Sequence, residues 1–400
     1  MNHDPDRLRR YAELIVSFGA NVQRGQIVAV SSEPGKEPLA RAIVQAAYRA
    51  GASFVDVASF DLHVKRARIE QADPEFLEVV PSWYGERMLA LGAQRCARIG
   101  LTGPVEPGLL DGLDPERLGR DRLPFIPEAI RVVNDRSTNW TAAPCPTPAW
   151  AALVHPDREP AVALERLWEQ IAHVCRLDEP DPAEAWGERM DSVGRAASAL
   201  EEHRLDALRF RGPGTDLTVG LLGGSRWLTA RFQTAWGLRH FPNLPSEETF
   251  TAPDPARVEG TVSCTRPLVL EGSAVHGLRV RFERGRAVEI DADEGAERLR
   301  VLLARDEGAS RLGEVALVDG DGRVGPLNTV FYDTLLDENA ASHIAFGQAY
   351  AFSVDGADQA RINQSAIHLD VMIGGDEVTV TGLTSGGAEV GVLERGVWRV

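Results

Sequence analysis

The sequence predicts an α/β protein of two domains: an N-terminal α/β domain with a parallel sheet over residues 1–193, and a C-terminal mixed, mostly antiparallel α+β domain over residues 194–400. Three observations support this prediction. The chain has 400 residues, of which 44% are hydrophobic, enough for more than one core. Helix and strand patterns alternate in the first half, which is typical of a parallel sheet. In the second half, short strand patterns follow one another between glycine-rich turns, which favours antiparallel pairing.

Hydrophobic periodicity defines the elements of the first half. Apolar residues recur at helical spacing in three segments, and the short apolar runs between them have the length of strands. Strands joined through helices become parallel neighbours with right-handed crossovers. The predicted helices are 6–18, 37–50 and 83–93, and the predicted strands are 26–31, 53–58 and 97–101.

Two longer helices are predicted next, over 161–175 and 182–203, with the stretch LDEPDP at 177–182 between them. Proline and acidic residues in this density are typical of a linker. We therefore place the domain boundary shortly after it, at 193/194. The strands predicted beyond that boundary are 207–211, 216–221, 260–263, 278–283, 286–290, 315–318 and 378–381.

Composition excludes several classes of protein. The net charge of −16 argues against a nucleic-acid surface, which needs a basic stripe. No apolar run approaches the roughly 20 residues of a membrane span, and the first residues carry charges where a signal peptide needs an apolar core. The four cysteines are scattered without a CxxC pair, as in a reducing compartment. We therefore expect a cytoplasmic protein that binds neither nucleic acid nor membrane.

The stretch FYDTLLDENAASHIAFGQAY, 331–350, contains the first candidate functional residues. His343 and Tyr350 are seven residues apart, so on a helix both side chains point the same way. Gly347 lies between them, and a glycine within a helix suggests that another group approaches closely. Glu338 lies just before this segment, where the N-terminus of a helix favours negative charge. We therefore predict a helix with His343 and Tyr350 on one face.

The second candidate segment is a strand around 367–371. Ile367 and its alternate neighbours are apolar and face one way, whereas His368 and Asp370 face the other way. A histidine and an aspartate on one strand face, together with His343, suit a metal ion. Spacing alone leaves an alternative open, in which His343 is a core histidine and the other two form a polar strand face.

Two acidic stretches complete the pattern. One is NLPSEETFTAP at 243–253, which contains Glu247 and Glu248, and the other is GEVALV at 313–318, which contains Glu314. Taken singly, these carboxylates suit a solvated turn or a strand edge. Taken in order with the two segments above, the four motifs resemble the thermophilic aminopeptidase family of dinuclear metallo-aminopeptidases. The resemblance extends over nearly the whole chain, because the N-terminal α/β half also fits.

The resemblance implies a metal-binding C-terminal domain that holds two divalent ions, Zn, Co or Mn, and that cleaves the N-terminal residue from small peptides with a free N-terminus. It also implies a homodimer, a catalytic role for Tyr350 and a bridging role for Glu314. The implied metal ligands are Glu248, Glu314, Glu338, His343, His368 and Asp370. Four carboxylates supply a charge of −4, which two divalent cations balance. Two such ions can activate a shared water and polarise the scissile carbonyl.

Glu247 is a separate candidate. A carboxylate next to a metal-ligating glutamate suits a general base that takes the proton of the attacking water. A salt bridge within a turn explains the same residue without any catalytic role.

A second enzyme class fits part of the pattern. His343, His368 and Asp370 match the two-histidine, one-carboxylate triad of non-haem iron enzymes, and ring-cleaving dioxygenase chemistry occurs on a similar scaffold. An iron triad needs none of the three glutamates Glu248, Glu314 and Glu338. We therefore favour the two-metal aminopeptidase and keep the dioxygenase as the alternative.

Overall fold

The computed structural model describes residues 4–124, 126–270 and 273–400. The chain divides into two compact units. The first contains Met1–Glu188, Ala230–Ser246 and Phe331–Leu335, and the second contains Arg189–Thr229, Glu247–Val330 and Leu336–Val400. The chain first passes from one unit to the other at 188/189, inside a helix that spans Pro182–His203. The predicted division at 193/194 lies in the same helix and stays a prediction.

The first unit is built on a four-stranded sheet in the order β2-β1-β3-β4, with every pairing parallel. This confirms the predicted α/β fold of the N-terminal half. The strands are β1 (Ile27–Ser32), β2 (Phe54–Ser59), β3 (Ala97–Thr102) and β4 (Asn139–Pro144). The helices are α1 (Pro5–Leu14), α2 (Glu37–Arg49), α3 (Leu62–Gln71), α4 (Ser82–Ala93), α5 (Pro115–Arg120), α6 (Pro127–Asn134), α7 (Pro148–Val154), α8 (Pro160–Val174) and α9 (Pro182–His203).

Proline marks the first turn of many of these helices. The side chains of Asp4, Asp114 and Thr147 accept hydrogen bonds from the first backbone N–H groups of α1, α5 and α7, and a proline follows each of them. The proline-rich segment around 142–150 therefore contains the end of β4 and the start of α7, which we had not predicted. The proline at 144 ends the strand and the proline at 148 starts the helix.

The second unit contains two large sheets. The eight-stranded sheet has the order β15-β14-β11-β6-β5-β19-β20-β21, and the five-stranded sheet has the order β18-β17-β16-β10-β7. All their pairings are antiparallel, which confirms the predicted architecture of this half. The strands of both units not yet given are β5 (Leu205–Gly212), β6 (Thr215–Leu221), β7 (Leu228–Thr229), β8 (Phe232–Gln233), β9 (Arg239–His240), β10 (Glu248–Thr251), β11 (Pro253–Ser263), β12 (Leu268–Leu270), β13 (Ser273–Val275), β14 (Arg279–Glu283), β15 (Arg286–Asp291), β16 (Leu312–Val318), β17 (His343–Gly347), β18 (His368–Met372), β19 (Thr379–Thr384), β20 (Glu389–Glu394) and β21 (Val397–Trp398), and the helices are α10 (Ala296–Leu303) and α11 (Thr334–Asp337).

The predicted helix from His343 to Tyr350 is wrong. His343–Gly347 is strand β17, and Tyr350 follows it in an irregular segment. The segment forms a strand because Ile344 and Phe346 alternate with small or polar residues, and both are fully buried in the core. The predicted close approach at Gly347 is correct. This residue has φ of +93°, and a Cβ on it would lie 2.2 Å from the carbonyl oxygen of Ile367. Glu338 likewise begins a 3-10 turn after α11 and does not precede a helix at 343–350.

The apolar face of the five-stranded sheet fixes its register. Alternate residues of β16, β17 and β18 are buried in one cluster with side chains of the eight-stranded sheet; they are Val315, Leu317, Ile344, Phe346, Leu369 and Val371. Full burial of such a side chain contributes about 1.5–3 kcal/mol relative to exposure. A shift of one residue in any of these strands would turn this set to the opposite face, so the residues between them are held on that opposite face. None of the helices in the described ranges is long and apolar enough to cross a membrane.

Candidate metal centre

The candidate ligands lie on one face of the five-stranded sheet. Asp370 pairs with Ala345, which pairs with Glu314, so these three residues form one row across β18, β17 and β16. His343 and His368 lie two residues from this row on their own strands and hence on the same face. Glu248 at the start of β10 pairs with Val318, which shares the face of Glu314. Four distant segments therefore converge because antiparallel pairing aligns them.

The side chains form two groups. Within each group, one ligand atom of every residue lies within 4.8 Å of those of the other members. The inner group consists of Glu248, Glu314 and His343, which are all buried. The outer group consists of Glu314, His368 and Asp370, and the side chain of His368 is 29% exposed. Glu314 belongs to both groups. Its Oε1 lies 3.7 Å from His343 Nε2, and its Oε2 lies 3.9 Å from His368 Nε2, so each oxygen faces one group.

Backbone carbonyls fix the tautomers of both histidines. His343 Nδ1 is 3.2 Å from the oxygen of Ala341, and His368 Nδ1 is 2.8 Å from the oxygen of Gln348. A carbonyl oxygen can only accept, so each Nδ1 donates. In the neutral imidazole this leaves the lone pair on Nε2, which faces the carboxylates. Metal-bound histidines have this arrangement, with the second ring nitrogen held by a backbone carbonyl or a carboxylate.

These residues fit a divalent cation. His343 Nε2 and Glu248 Oε2 are 3.1 Å apart, and Glu248 Oε2 is buried. A neutral Nε2 lone pair and a carboxylate oxygen repel each other at this distance unless a proton or a cation lies between them. Imidazole nitrogens and carboxylate oxygens without any thiolate suit zinc, cobalt or manganese.

Short side chains leave space over the centre of the sheet. Ala345 lies between Glu314 and Asp370 on the face of the ligands, and Ala316 lies beside His343 on the same face. Both are fully buried, although neither has more than a methyl group to place there. The carboxylates and imidazoles can therefore converge above these alanines.

The charges in this cluster act strongly on one another in the metal-free protein. Burial lowers the pKa of His343, but the carboxylates of Glu248 and Glu314 outweigh it and hold this pKa well above its usual range. Burial also lowers the pKa of His368, yet Asp370 and Glu314 raise it to about 10. Burial, followed by the charges of Asp370 and Glu248, raises the pKa of Glu338 well above its usual range. The charges of both groups therefore act on Glu338, although it is a member of neither group.

We expect metal binding to release protons. Because the pKa of His368 is about 10 in the metal-free protein, this imidazole carries a proton at neutral pH, and so does His343. A metal binds only the deprotonated form. The apparent affinity should therefore fall as the pH is lowered from 8 to 6. Isothermal titration in buffers of different ionisation enthalpy measures the protons released, and an affinity independent of pH would contradict this account.

Tyr350 lies beside the outer group. Its ring centroid is 5.7 Å from that of His368, 6.0 Å from that of Phe250 and 5.2 Å from that of Phe352. The tyrosine reaches the ligands because β17 pairs with β18, which brings the segment after Gly347 next to His368. Burial and the nearby carboxylates, Glu314 first, raise the pKa of Tyr350 well above its usual range. The phenol thus stays protonated at neutral pH and can donate a hydrogen bond.

Glu247 lies outside both ligand groups. Its carboxylate forms a buried ion pair with Arg189 and accepts a hydrogen bond from the backbone N–H of Arg323 at 3.2 Å. Arg189 also forms two hydrogen bonds to Asp319, at 2.8 and 3.2 Å, and Trp398 Nε1 donates to Asp319 at 2.5 Å. Sequence reasoning missed this network, because its members come from four distant segments and no spacing joins them.

Comparison with known proteins gives the class of protein. The chain matches the family model of the thermophilic metalloproteases (M29) over residues 4–398. It is 41% identical to aminopeptidase T of Thermus thermophilus over 403 residues, 98% of each chain, and 36% identical to aminopeptidase PepS of Streptococcus thermophilus over 406 residues, again 98% of each. The fold and these matches define a metalloprotease.

Solved structures are also similar to this chain. Wild-type AmpT from Thermus thermophilus superposes with a TM-score of 0.88 at 40% identity, over 99% of both chains. A 2,5-dihydroxypyridine dioxygenase from Pseudomonas putida KT2440 has a TM-score of 0.57 at 15% identity, over 99% of this chain and 98% of that one, which is a likeness of fold alone. The chain belongs to the thermophilic metalloprotease family, and the resemblance seen in the sequence is confirmed.

Proposed function

We propose that this chain is an aminopeptidase that hydrolyses the N-terminal residue of peptides through a water activated by two divalent metal ions. The sharing of Glu314 between the inner and outer groups is the observation that carries the proposal, because it suits one carboxylate that bridges two ions. The ligands would be Glu248, Glu314, Glu338, His343, His368 and Asp370. The names of the relatives, which are aminopeptidases, support the same activity.

A bound metal pair supplies Lewis acidity at the scissile carbonyl and a nucleophilic water at neutral pH. The chain itself supplies the remaining functions. Tyr350 is a neutral phenol beside the outer group, and we assign it to donate a hydrogen bond to the oxyanion of the tetrahedral intermediate. Phe352 is stacked on the Tyr350 ring and holds it in place.

Glu247 stays our candidate for the general base. Its position next to Glu248 supports the assignment, whereas its ion pair with Arg189 means that Arg189 would have to share the carboxylate during proton transfer. Substitution Glu247→Gln keeps the shape of the side chain. If Glu247 is the base, this variant keeps its metal and loses kcat.

The dioxygenase alternative lacks support of this kind. A facial triad needs His343, His368 and Asp370 around one ion, but the two histidines fall in different groups of the described residues. The likeness to the dioxygenase structure is one of fold alone at 15% identity. The additional carboxylates Glu248 and Glu314 have no role in such a triad.

The experiment that tests the proposed function compares substrates that have a free N-terminal amine with substrates whose amine is acetylated. If the amine of the substrate is recognised, metal-loaded protein should cleave dipeptides and aminoacyl-nitroanilides, while their N-acetylated counterparts stay intact. Both series contain the same scissile bond, so mass spectrometry of the products isolates the effect of the amine. Equal cleavage of both series would mean an endopeptidase or a different hydrolase.

We further propose a homodimer. Most of the exposed large apolar side chains in the described residues lie between residues 48 and 89 of the first unit. Exposed apolar side chains that form one patch are typical of a protein interface, and we infer that these side chains form one. Sedimentation equilibrium should give the mass of two chains. The exposed apolar side chains of this part of the first unit are Tyr48, Phe54, Val57, Val64, Phe76, Val79, Trp83, Tyr84 and Leu89.

We place the enzyme in the cytoplasm. Cys96, Cys145 and Cys264 are free thiols, and the first two are buried. Burial raises the pKa of Cys145 to about 12, so this thiol is unreactive. Unpaired structural cysteines suit a reducing compartment.

A further inference from the structure

We propose that Asn339 is a positioning residue that joins two ligand-bearing segments and thereby raises the metal affinity of the inner group. The inference rests on the proposed metal centre. Asn339 follows Glu338 in the chain and is fully buried, so its carboxamide needs hydrogen-bond partners inside the protein. Its two polar atoms contact two different candidate ligand segments.

The acceptor side of this carboxamide faces the segment before β10. Asn339 Oδ1 accepts a hydrogen bond from the backbone N–H of Glu247 at 2.5 Å. Glu247 directly precedes Glu248, whose side chain belongs to the inner group. Because a backbone N–H can only donate, this contact also fixes which atom of the carboxamide is the oxygen.

The donor side faces Glu338. With Oδ1 fixed, Asn339 Nδ2 lies 3.4 Å from Glu338 Oε1 and is oriented to donate. A donor on one oxygen fixes the rotation of this carboxyl group. One side chain therefore sets Glu338 and the backbone of Glu247 at a fixed separation.

The segment held by Asn339 is rigid on its other side. Arg189 contacts the Glu247 carboxylate and donates to its carbonyl oxygen from Nη2 at 3.3 Å. Arg189 is in turn fixed by Asp319, which also accepts from Trp398. Glu247 thus cannot shift to compensate when Asn339 is lost, and the change should appear at Glu338 and at the inner group.

The test measures the two metal affinities separately. Substitution Asn339→Ala should weaken the inner group by about 10–100-fold, as is typical when a group that orients a metal ligand is removed. The outer group, with His368 and Asp370, should lose less affinity, because the contact with the Glu247 N–H leads only to Glu248, a member of the inner group alone. Competition between metal-free protein and a fluorescent zinc chelator resolves a tight and a weak class of sites.

A matched control separates positioning from loss of stability. Asn363 is also a buried asparagine of the second unit, but its Nδ2 donates to the backbone oxygens of Gly308, Arg311 and Gly347 and not to a candidate ligand. Substitution Asn363→Ala should lower the melting temperature of the metal-free protein to a similar extent and leave the inner affinity unchanged. An equal loss at the inner group in both variants would overturn the proposal.

A second variant covers the case in which Asn339→Ala does not fold. Asn339→Asp keeps the acceptor for the Glu247 N–H but replaces the donor with an oxygen that repels Glu338. The added charge attracts cations to both groups, so a loss of affinity in this variant reports the displaced Glu338. We expect the zinc affinity to fall at one group at least, and affinities at or above the wild-type values at both groups would overturn the role of Asn339. Wild-type protein that binds no metal would instead refute the proposed function itself.

Discussion

Tyr350→Phe should lose about 10²–10³ in kcat, the usual effect of removing one hydrogen-bond donor to an oxyanion. The substitution keeps the ring and therefore its stacking on Phe352 and its contact with Phe250. The melting temperature, the metal content and KM should all stay close to the wild-type values. Steady-state kinetics of the metal-loaded variant measure the effect.

The same change at another tyrosine provides the control. Tyr48 lies in the first unit, and its hydroxyl accepts a hydrogen bond from the N–H of Val55 at 3.3 Å. Tyr48→Phe also removes one hydroxyl, so its kcat should not change. If Tyr350→Phe retains the kcat of the wild type, Tyr350 is an aromatic packing residue and not a catalytic one.

Glu314→Ala should have the largest effect on metal binding, because this carboxylate belongs to both groups. Losing a residue that only orients a ligand costs about 10–100-fold in affinity, so losing the shared ligand should cost more. Activity should fall to the background. The stabilisation of the protein by added zinc or cobalt, which grows with the ratio of metal concentration to dissociation constant, should shrink accordingly.

Metal-free protein separates this effect from misfolding. Burial raises the pKa of Glu314, and the melting temperature of the metal-free variant shows whether the substitution itself destabilises the fold. Glu389→Ala, an exposed glutamate of β20 in the same unit, should leave the metal response intact. Two ions held as firmly by Glu314→Ala as by the wild type would show that another residue bridges them.

The strand that carries His368 and Asp370 was predictable from its local pattern. Strict alternation placed Leu369 and Val371 in the core and the two candidate ligands on the other face, as the structure has them. The segment from His343 to Gly347 has the same alternation, but five residues are too few to exclude a helical period. Its pairing with β16 and β18 decided the outcome, and such pairing is not local information.

The candidate site was predictable in its members but not in its geometry. Four motifs in order identified the family, which brought Glu248 and Glu314 into the ligand set. Spacing alone could not do so, because these residues lie on separate strands and meet only through the register of the sheet. The contacts of Arg189 and Asn339 with Glu247 were not foreseen, since hydrogen bonds between distant segments leave no periodic pattern.

Diffraction from crystals of the zinc- or cobalt-loaded protein would show whether two ions share Glu314. Data collected on both sides of the absorption edge of the metal locate and count the ions. We predict two ions in each chain, one at the inner group with His343 and one at the outer group with His368, with an oxygen of Glu314 contacting each. A single ion in a fully active protein, or two ions that Glu314 does not join, would contradict this account.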